Sequence, residues 1–161
     1  MKILITSRGI SLIEVIVGAA IIAASIVSIM GVYGGLSKLS YRNMPRLQAT
    51  LLSEEGIEAL MTMRDAGWTS KIASLTVGTT YHLYWTGNVW QATSSPATID
   101  STFDRTFVLS NIARDASFNI VSSGGTTDVN TRKVVVSVSW LDDTATSTKS
   151  METYLSNTYN N

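Results

Sequence analysis

The stretch RGISLIEVIVGAAIIAASIVSIMGVYGGL, residues 8–36, decides the fold of this chain. After Glu14 it contains no charged residue, and the next charge in the sequence is Lys38. An uncharged run of this length is typical of a membrane-spanning helix, which needs about 20 mainly apolar residues. Glu14 is the single carboxylate in the run, where an acidic side chain costs roughly 2–3 kcal/mol near the membrane centre and less near its edge. Carboxylates in such segments are usually functional and paired, so the partner of Glu14 is the central question.

Composition limits the functions open to the rest of the chain. The 161 residues carry 12 basic and 12 acidic side chains, so there is no overall charge to attract nucleic acid. There is no cysteine, which excludes disulfides, thiolate catalysis and cysteine-bound metal. His82 is the one histidine and leaves little material for a catalytic triad or a metal cluster. The residues after the apolar segment are enough for one modest domain.

Three interpretations of the N-terminus compete. A cleaved secretory signal explains the basic start, with Lys2 and Arg8, and the small residues at positions 20–25. However, a carboxylate in the apolar part of such a signal is poorly tolerated. A plain single-span anchor fits the length of the run but leaves Glu14 unexplained. Basic residues flank the run on both sides, so the positive-inside rule does not settle its orientation.

The third interpretation rests on a motif around residue 9. A short basic leader ends in Gly9, an apolar residue follows as Ile10, and the run SLIE makes Glu14 the fifth residue after that glycine. This start resembles the type IV prepilins, the subunits of type IV pili and of the pseudopili of type II secretion systems. The resemblance implies that a membrane-embedded aspartic prepilin peptidase cuts between Gly9 and Ile10 and methylates the new amino terminus. The family usually has phenylalanine where this chain has Ile10.

Cleavage after Gly9 would create a cationic amine within one helical turn of Glu14. In the family, this glutamate pairs with the amine of a neighbouring subunit during fibre assembly, so the resemblance makes Glu14 the assembly and register residue. The physical argument agrees with that role. In a bundle of low dielectric constant each lone charge is expensive, and a pair is much cheaper. The alternative is a glutamate that reaches the lipid headgroups at the end of the helix.

The resemblance also implies an architecture. We expect an α+β type IV pilin fold, in which a long N-terminal helix packs on an antiparallel sheet of about four strands. The expected organisation is a leader peptide at residues 1–9 and a transmembrane and assembly helix at 10–36. An amphipathic continuation of the helix follows at 37–67, and an extracytoplasmic β-rich domain occupies 68–161.

The pattern of apolar residues predicts a helix that continues beyond the membrane. Pro45 interrupts the pattern and predicts a kink, or a break near Asn43 and Met44. Gly67 is a plausible end of the helix. The face expected to pack on the domain has apolar residues at helical spacing, namely Leu52, Gly56, Ala59, Leu60 and Met63.

Residues 69–161 are rich in serine, threonine and β-branched residues, which favour strands. Residues 80–85 and the VWQA run after them read as a hairpin, and Gly124-Gly125 reads as a turn. The remaining strand candidates are residues 103–113, 118–121, 132–141 and 149–157.

Charges in the second half of the helix are segregated by sign. Lys38, Arg42 and Arg46 come first, and Glu54, Glu55 and Glu58 follow. In a stack of parallel copies the basic band of one subunit would face the acidic band of another. The simpler alternative is a solvated helix surface.

Aromatic residues surround the single histidine in the first predicted hairpin. One interpretation is a ligand-binding patch for a surface glycan or nucleic acid. The simpler interpretation, which we favour, is ordinary sheet packing. The residues concerned are Tyr81, His82, Tyr84, Trp85 and Trp90.

Two pairs of aspartates invite a calcium hypothesis, since some pseudopilins carry calcium. The pairs are Asp100 with Asp104 and Asp142 with Asp143. A calcium site needs 6–8 oxygen ligands, and two carboxylates supply far fewer, so turn residues are the better interpretation. No nucleophile elbow, phosphate-binding loop, HExxH run or EF-hand pattern occurs. We therefore expect no catalytic residue, no cofactor and no bound metal.

The resemblance implies a structural subunit, most like a minor pilin, and not an enzyme. Its expected partners are the prepilin peptidase, other pilin subunits, the inner-membrane assembly platform and the membrane itself, with no nucleic acid required. It would cross the cytoplasmic membrane once, with its domain outside the cytoplasm, and then join a cell-surface or periplasmic filament. Two alternatives remain: a pseudopilin of a type II secretion system, and a monomeric membrane-anchored binding module.

Overall fold

A computed structural model describes residue 9, residues 11–142 and residues 144–159. The expected leader and Ile10 lie outside the described residues, apart from Gly9. Contacts divide the chain into two compact units, with the boundary between Asn43 and Met44.

One long helix opens the described chain. Helix α1 runs from Leu12 to Ala66 without a break at Asn43 and Met44, so the break expected before Pro45 is absent. A proline inside a helix removes one backbone hydrogen bond, and the residues on both sides of Pro45 are nevertheless helical. Gly67 follows the last helical residue with φ +157° and confirms the expected stop. A short π-helical segment, Thr69–Ala73, leads into the sheet.

Within the described residues the sheet has seven antiparallel strands rather than about four. Its main path has the order β2-β1-β4-β6-β7, and the two short strands β3 and β5 each pair with β4. The α+β class is thus correct, while the expected strand count was wrong. The strands are β1 Thr80–Trp85, β2 Trp90–Thr93, β3 Thr98–Ile99, β4 Phe103–Arg114, β5 Ile120–Val121, β6 Thr126–Asp142 and β7 Ala145–Ser156.

Strand β6 is longer than its apolar alternation predicts. It begins at Thr126 and pairs with the second half of β4 across a register shift at Asn111 and Ile112. A bulge of this kind lets a strand bend and continue, so the polar start of β6 remains in the sheet. Gly124, in the turn just before β6, has φ +75°, which explains the need for glycine there.

The second unit is held together by packing between the end of α1 and one face of the sheet. At Gly56 the two elements approach so closely that a Cβ would lie 2.9 Å from Cγ1 of Val136 and 3.2 Å from Cδ of Arg105. The expected stripe residues Ala59, Leu60 and Met63 are buried. The larger core cluster also contains Trp68, Ile72, Leu83, Phe107, Leu109, Val134, Val136 and Leu155, and a second cluster contains Ala49, Phe103, Val138 and Trp140.

Candidate functional site

The candidate site for processing and assembly is the N-terminal end of α1, with Gly9 just before the helix and Glu14 in its first turn. The carbonyl of Ser11 accepts hydrogen bonds from the backbone N–H of Glu14 at 3.0 Å and of Val15 at 3.3 Å, so helical bonding begins here. Glu14 lies in this first turn and is exposed. The positive end of the helix dipole favours a carboxylate at this position. Gly9 is exposed, and among the described residues, its chain neighbours aside, no atom lies within 4 Å of where its Cβ would be.

The part of α1 between Leu12 and Leu36 is apolar on all its faces. α1 is long and apolar enough to cross a membrane, and none of the residues in its apolar window is buried. A helix that is apolar all round needs an apolar environment. The exposed large side chains are Leu12, Ile13, Val15, Ile16, Val17, Ile21, Ile22, Ile26, Val27, Ile29, Met30, Val32, Tyr33 and Leu36.

The two serine hydroxyls in this segment are satisfied within the helix. Oγ of Ser25 donates to the carbonyl oxygen of Ile21 at 2.8 Å, and Oγ of Ser28 donates to that of Ala24 at 2.9 Å. In hydrocarbon an unsatisfied polar group costs several kcal/mol. These two bonds let the serines enter an apolar environment without a partner from outside the helix, and Glu14 is the charged side chain in the segment that needs one.

The acidic band expected on the helix does not act as a unit. Oε2 of Glu55 lies 3.0 Å from Nη1 of Arg105 in β4, so this carboxylate binds the sheet of its own domain. Glu54 and Glu58 are exposed. Any pairing between subunits would therefore use Glu54 and Glu58, and reversing the charge of all three glutamates would also disturb the domain.

The aromatic hairpin divides into a packed part and an exposed part. Tyr81 stacks on Phe107 with ring centroids 5.6 Å apart, and His82 is only 8% exposed. For these two residues the packing interpretation is confirmed. Tyr84 and Trp85 remain 37% and 52% exposed, although the Tyr84 hydroxyl donates to Gln91 and the Trp85 ring contacts that of Trp90.

The aspartates considered for calcium have other roles or lie apart. Oδ1 of Asp104 lies 3.0 Å from Nε2 of His82. The backbone of Asp100 has a positive φ of 50° in the turn before β4. Asp142 ends β6, and Asp143 lies outside the described residues. Within the described residues there is no group of three or more histidines, cysteines, aspartates or glutamates that could hold a metal ion.

A pocket lies where β4 ends and β6 begins, and it was not predicted from the sequence. It has a volume of about 560 Å³ and is lined by residues of the loops on either side of β5, among them Asp115 and Phe118. Oδ1 of Asp115 accepts hydrogen bonds from the backbone N–H of Asn119 at 2.8 Å and of Ser117 at 2.9 Å. These bonds, with that from Asn119 foremost, lower the pKa of Asp115.

Phe118 extends from this loop and is 80% exposed, with a φ of 64° that a bulky residue rarely adopts. The sequence signal for the loop is the aspartate two residues before Ser117, a spacing typical of a turn in which the carboxylate accepts backbone bonds.

Neither a protein-family model nor a curated protein nor a solved structure matches this chain. The assignment of function therefore depends on the N-terminal residues and on the physical properties of the helix that follows them.

Proposed function

We propose that this chain is a structural subunit of a type IV pilus-like filament, in the role of a minor pilin, and that its α1 and sheet are a variant of the type IV pilin fold. The leader is removed after Gly9 by a prepilin peptidase, and the mature chain begins at Ile10. The single observation that carries this proposal is an apolar segment at the start of α1 with no buried residue, whose first turn holds one carboxylate, Glu14.

The exposed apolar surface of α1 is compatible with two successive environments, the membrane before assembly and the filament core after it. Before assembly the apolar segment lies in the cytoplasmic membrane, with the domain outside the cytoplasm, and lipid covers its side chains. In the filament the same side chains pack against the equivalent helices of other subunits. Lipid tails are as apolar as leucine, so helix association in a membrane depends on packing and polar contacts more than on hydrophobicity. This makes the transfer from lipid to filament core inexpensive for the apolar residues.

Glu14 favours the transfer of a subunit from lipid into the filament, and it favours one axial register of docking. A lone carboxylate in an apolar bundle is unfavourable, whereas a carboxylate paired with a cation is much less so. Removal of the leader supplies a cation at the same depth, namely the amine of Ile10 on a neighbouring subunit. A subunit docked in the correct axial register forms this pair, and one docked a turn away leaves both charges unpaired. The assembly platform in the inner membrane is the partner that would bring the subunits together.

Processing is tested by co-expressing the full chain with and without a prepilin peptidase and measuring the intact mass of the membrane-extracted protein. The proposal predicts loss of residues 1–9 only when the peptidase is present, with or without one added methyl group. A Gly9→Leu variant is the matched control and should retain its leader. If the mass stays that of the full chain, or if cleavage falls elsewhere, the proposal is wrong.

A further inference from the structure

The end of the β1–β2 hairpin presents an indole to solvent. Trp85 is the last residue of β1 and is 52% exposed. The turn at residues 86–89 is closed by Thr86, whose backbone N–H and Oγ1 both donate to the carbonyl oxygen of Val89, at 3.1 and 3.0 Å. Gly87 has φ +94°, as such a tight turn requires. The hairpin end is therefore a defined structure.

A chain of contacts connects the exposed indole of Trp85 to the buried residue Arg105. The ring of Trp85 lies 5.4 Å from that of the half-buried Trp90, at an angle of 58°. The guanidinium of Arg105 lies over the Trp90 ring, 5.2 Å from its centroid. Arg105 itself is only 3% exposed and is held by Glu55 and by the carbonyl of Leu52. A ligand that stacks on Trp85 would meet a surface that is already ordered, which reduces the entropy lost on binding.

The surroundings of Trp85 carry almost no charge. Residues 72–99 contain no lysine, arginine, aspartate or glutamate, and the one ionisable histidine among them, His82, is buried. Of the charged residues on neighbouring elements, Arg105 and Glu55 are paired with each other, and the carboxylate of Asp104 contacts His82. Binding to a nucleic acid depends chiefly on lysine and arginine contacts to phosphate. The hairpin end is thus unsuited to a polyanion and suited to a neutral ligand.

The exposed apolar area is small. Half of an indole together with the exposed part of Val89 amounts to roughly 200 Å². A stable protein partner needs about 800 Å² on each side. Asn88, in the turn that follows Trp85, is exposed, and its side-chain amide can both donate and accept hydrogen bonds. An aromatic platform with a neighbouring amide fits a small ligand that has both C–H faces and hydroxyl groups.

We propose that Trp85 and Asn88 form a binding site for a neutral oligosaccharide. The negative π face of the indole attracts the weakly positive C–H groups on one face of a pyranose ring. The Asn88 amide then exchanges hydrogen bonds with ring hydroxyls at the edge of the platform. The site lies on the folded domain and does not depend on whether the chain enters a filament.

Saturation-transfer NMR on the full-length protein tests the site. The protein is held in lauryldimethylamine oxide, because detergents with sugar headgroups would compete. The probes are cellotetraose, chitotetraose and maltotetraose, with a ten-residue oligothymidylate as the charged comparison. We expect transfer to the pyranose C–H protons of at least one of the three sugars.

The variants separate stacking from general surface contact. Trp85→Ala should weaken sugar binding at least about tenfold, equivalent to about 1.4 kcal/mol, while Trp85→Tyr, which keeps a flat aromatic face, should bind within a few-fold of the native chain. Phe118→Ala removes another exposed aromatic residue, outside the hairpin, and should bind as the native chain does. The proposal is overturned if no sugar receives saturation, if Trp85→Ala binds normally, or if the oligothymidylate binds in preference to the sugars.

Discussion

Arg105 of β4 and Glu55 of α1 form an ion pair in which Nη1 lies 3.0 Å from Oε2 and the arginine is almost fully buried. The same guanidinium donates to the carbonyl of Leu52 at 3.3 Å and covers the ring of Trp90. One buried cation therefore joins the helix, the sheet and the aromatic hairpin. Its charge is balanced by Glu55, for which the sequence suggested either a contact with another subunit or, as the simpler alternative, a solvated surface.

Removing the charge of Glu55 should destabilise the domain, because it leaves Arg105 buried without its counter-ion. We expect Glu55→Gln to lower the free energy of unfolding by about 1–2 kcal/mol, less than for a fully buried pair because the glutamate is half exposed. The measurement is urea unfolding of the full chain in detergent, followed by tryptophan fluorescence. Glu54→Gln, on the exposed side of the same helix, should stay within about 0.5 kcal/mol of the native value.

A further variant separates the charge from the packing. In Arg105→Met the buried cation is gone, so adding Glu55→Gln to it should cost almost nothing. A double variant that loses as much stability as the sum of the two single changes would show that the pair is not coupled.

Gly56 should not tolerate a large side chain. Even a Cβ at this position would lie 2.9 Å from Cγ1 of the buried Val136, and overpacking of this kind typically costs about 1–3 kcal/mol. We expect Gly56→Leu to lower the midpoint of urea unfolding accordingly. Thr62→Leu places the same side chain at an exposed position of α1 and should have little effect. Equal stability of the two variants would contradict the close contact between helix and sheet.

The ion pair of Asp128 with Arg114 should make stability fall in acid. Nε of Arg114 lies 2.7 Å from Oδ2 of Asp128, and this bond holds the pKa of Asp128 below its usual value. Because the folded pKa is the lower one, the pair stabilises the domain above the unfolded pKa, near 3.8, and loses that effect as the pH falls through the folded pKa.

The measurement is the Tm of the native chain and of Asp128→Asn between pH 2 and pH 7. The difference in Tm should be constant from about pH 5 upward and shrink towards zero at the acid end. Asp115 titrates in the same direction but is present in both proteins, so its contribution cancels. A difference that persists unchanged at the lowest pH would rule out the pair as its cause.

Glu14→Gln should separate processing from assembly. The change preserves size and removes the charge, so insertion into the membrane and removal of residues 1–9 should continue. Incorporation into filaments should fall at least about tenfold, since a loss of about 1.4 kcal/mol in docking suffices for that. The readout is the ratio of this chain in sheared filaments to that in membranes, by quantitative immunoblotting. Ser28→Ala, on the same helix, is the control and should incorporate normally. A normal ratio for Glu14→Gln would remove the register role.

Periodicity in the sequence was enough for the larger elements. Alternation in residues 132–141 and helical spacing from Leu52 to Met63 both correspond to buried faces in the structure. Strand β3 was not predicted, and β5 was predicted at residues 118–121 but contains only Ile120–Val121. Two residues are too few to show an alternating pattern. The start of β6 was missed because residues 126–131 are polar apart from the exposed Val129, and it is the pairing with β4 that keeps this segment in the sheet.

The partner of the buried Arg105 could not be predicted from the local sequence pattern. Phe103, Phe107 and Leu109 lie on one buried side of β4, and the same alternation places Arg105 on that side too. Its partner lies 50 residues earlier in the chain, on another element. A pattern within one strand indicates that a charge is buried, but only the fold identifies the residue that balances it.

The most direct test of the filament proposal is mass spectrometry of this chain in purified filaments from cells that express an assembly system. The account predicts that the filament-bound chain begins at Ile10, with or without a methyl group on its amine, and that no N-terminal peptide from residues 1–9 is present. Filaments that carry the chain with Met1 retained, or filaments that form normally and lack the processed chain altogether, would contradict it.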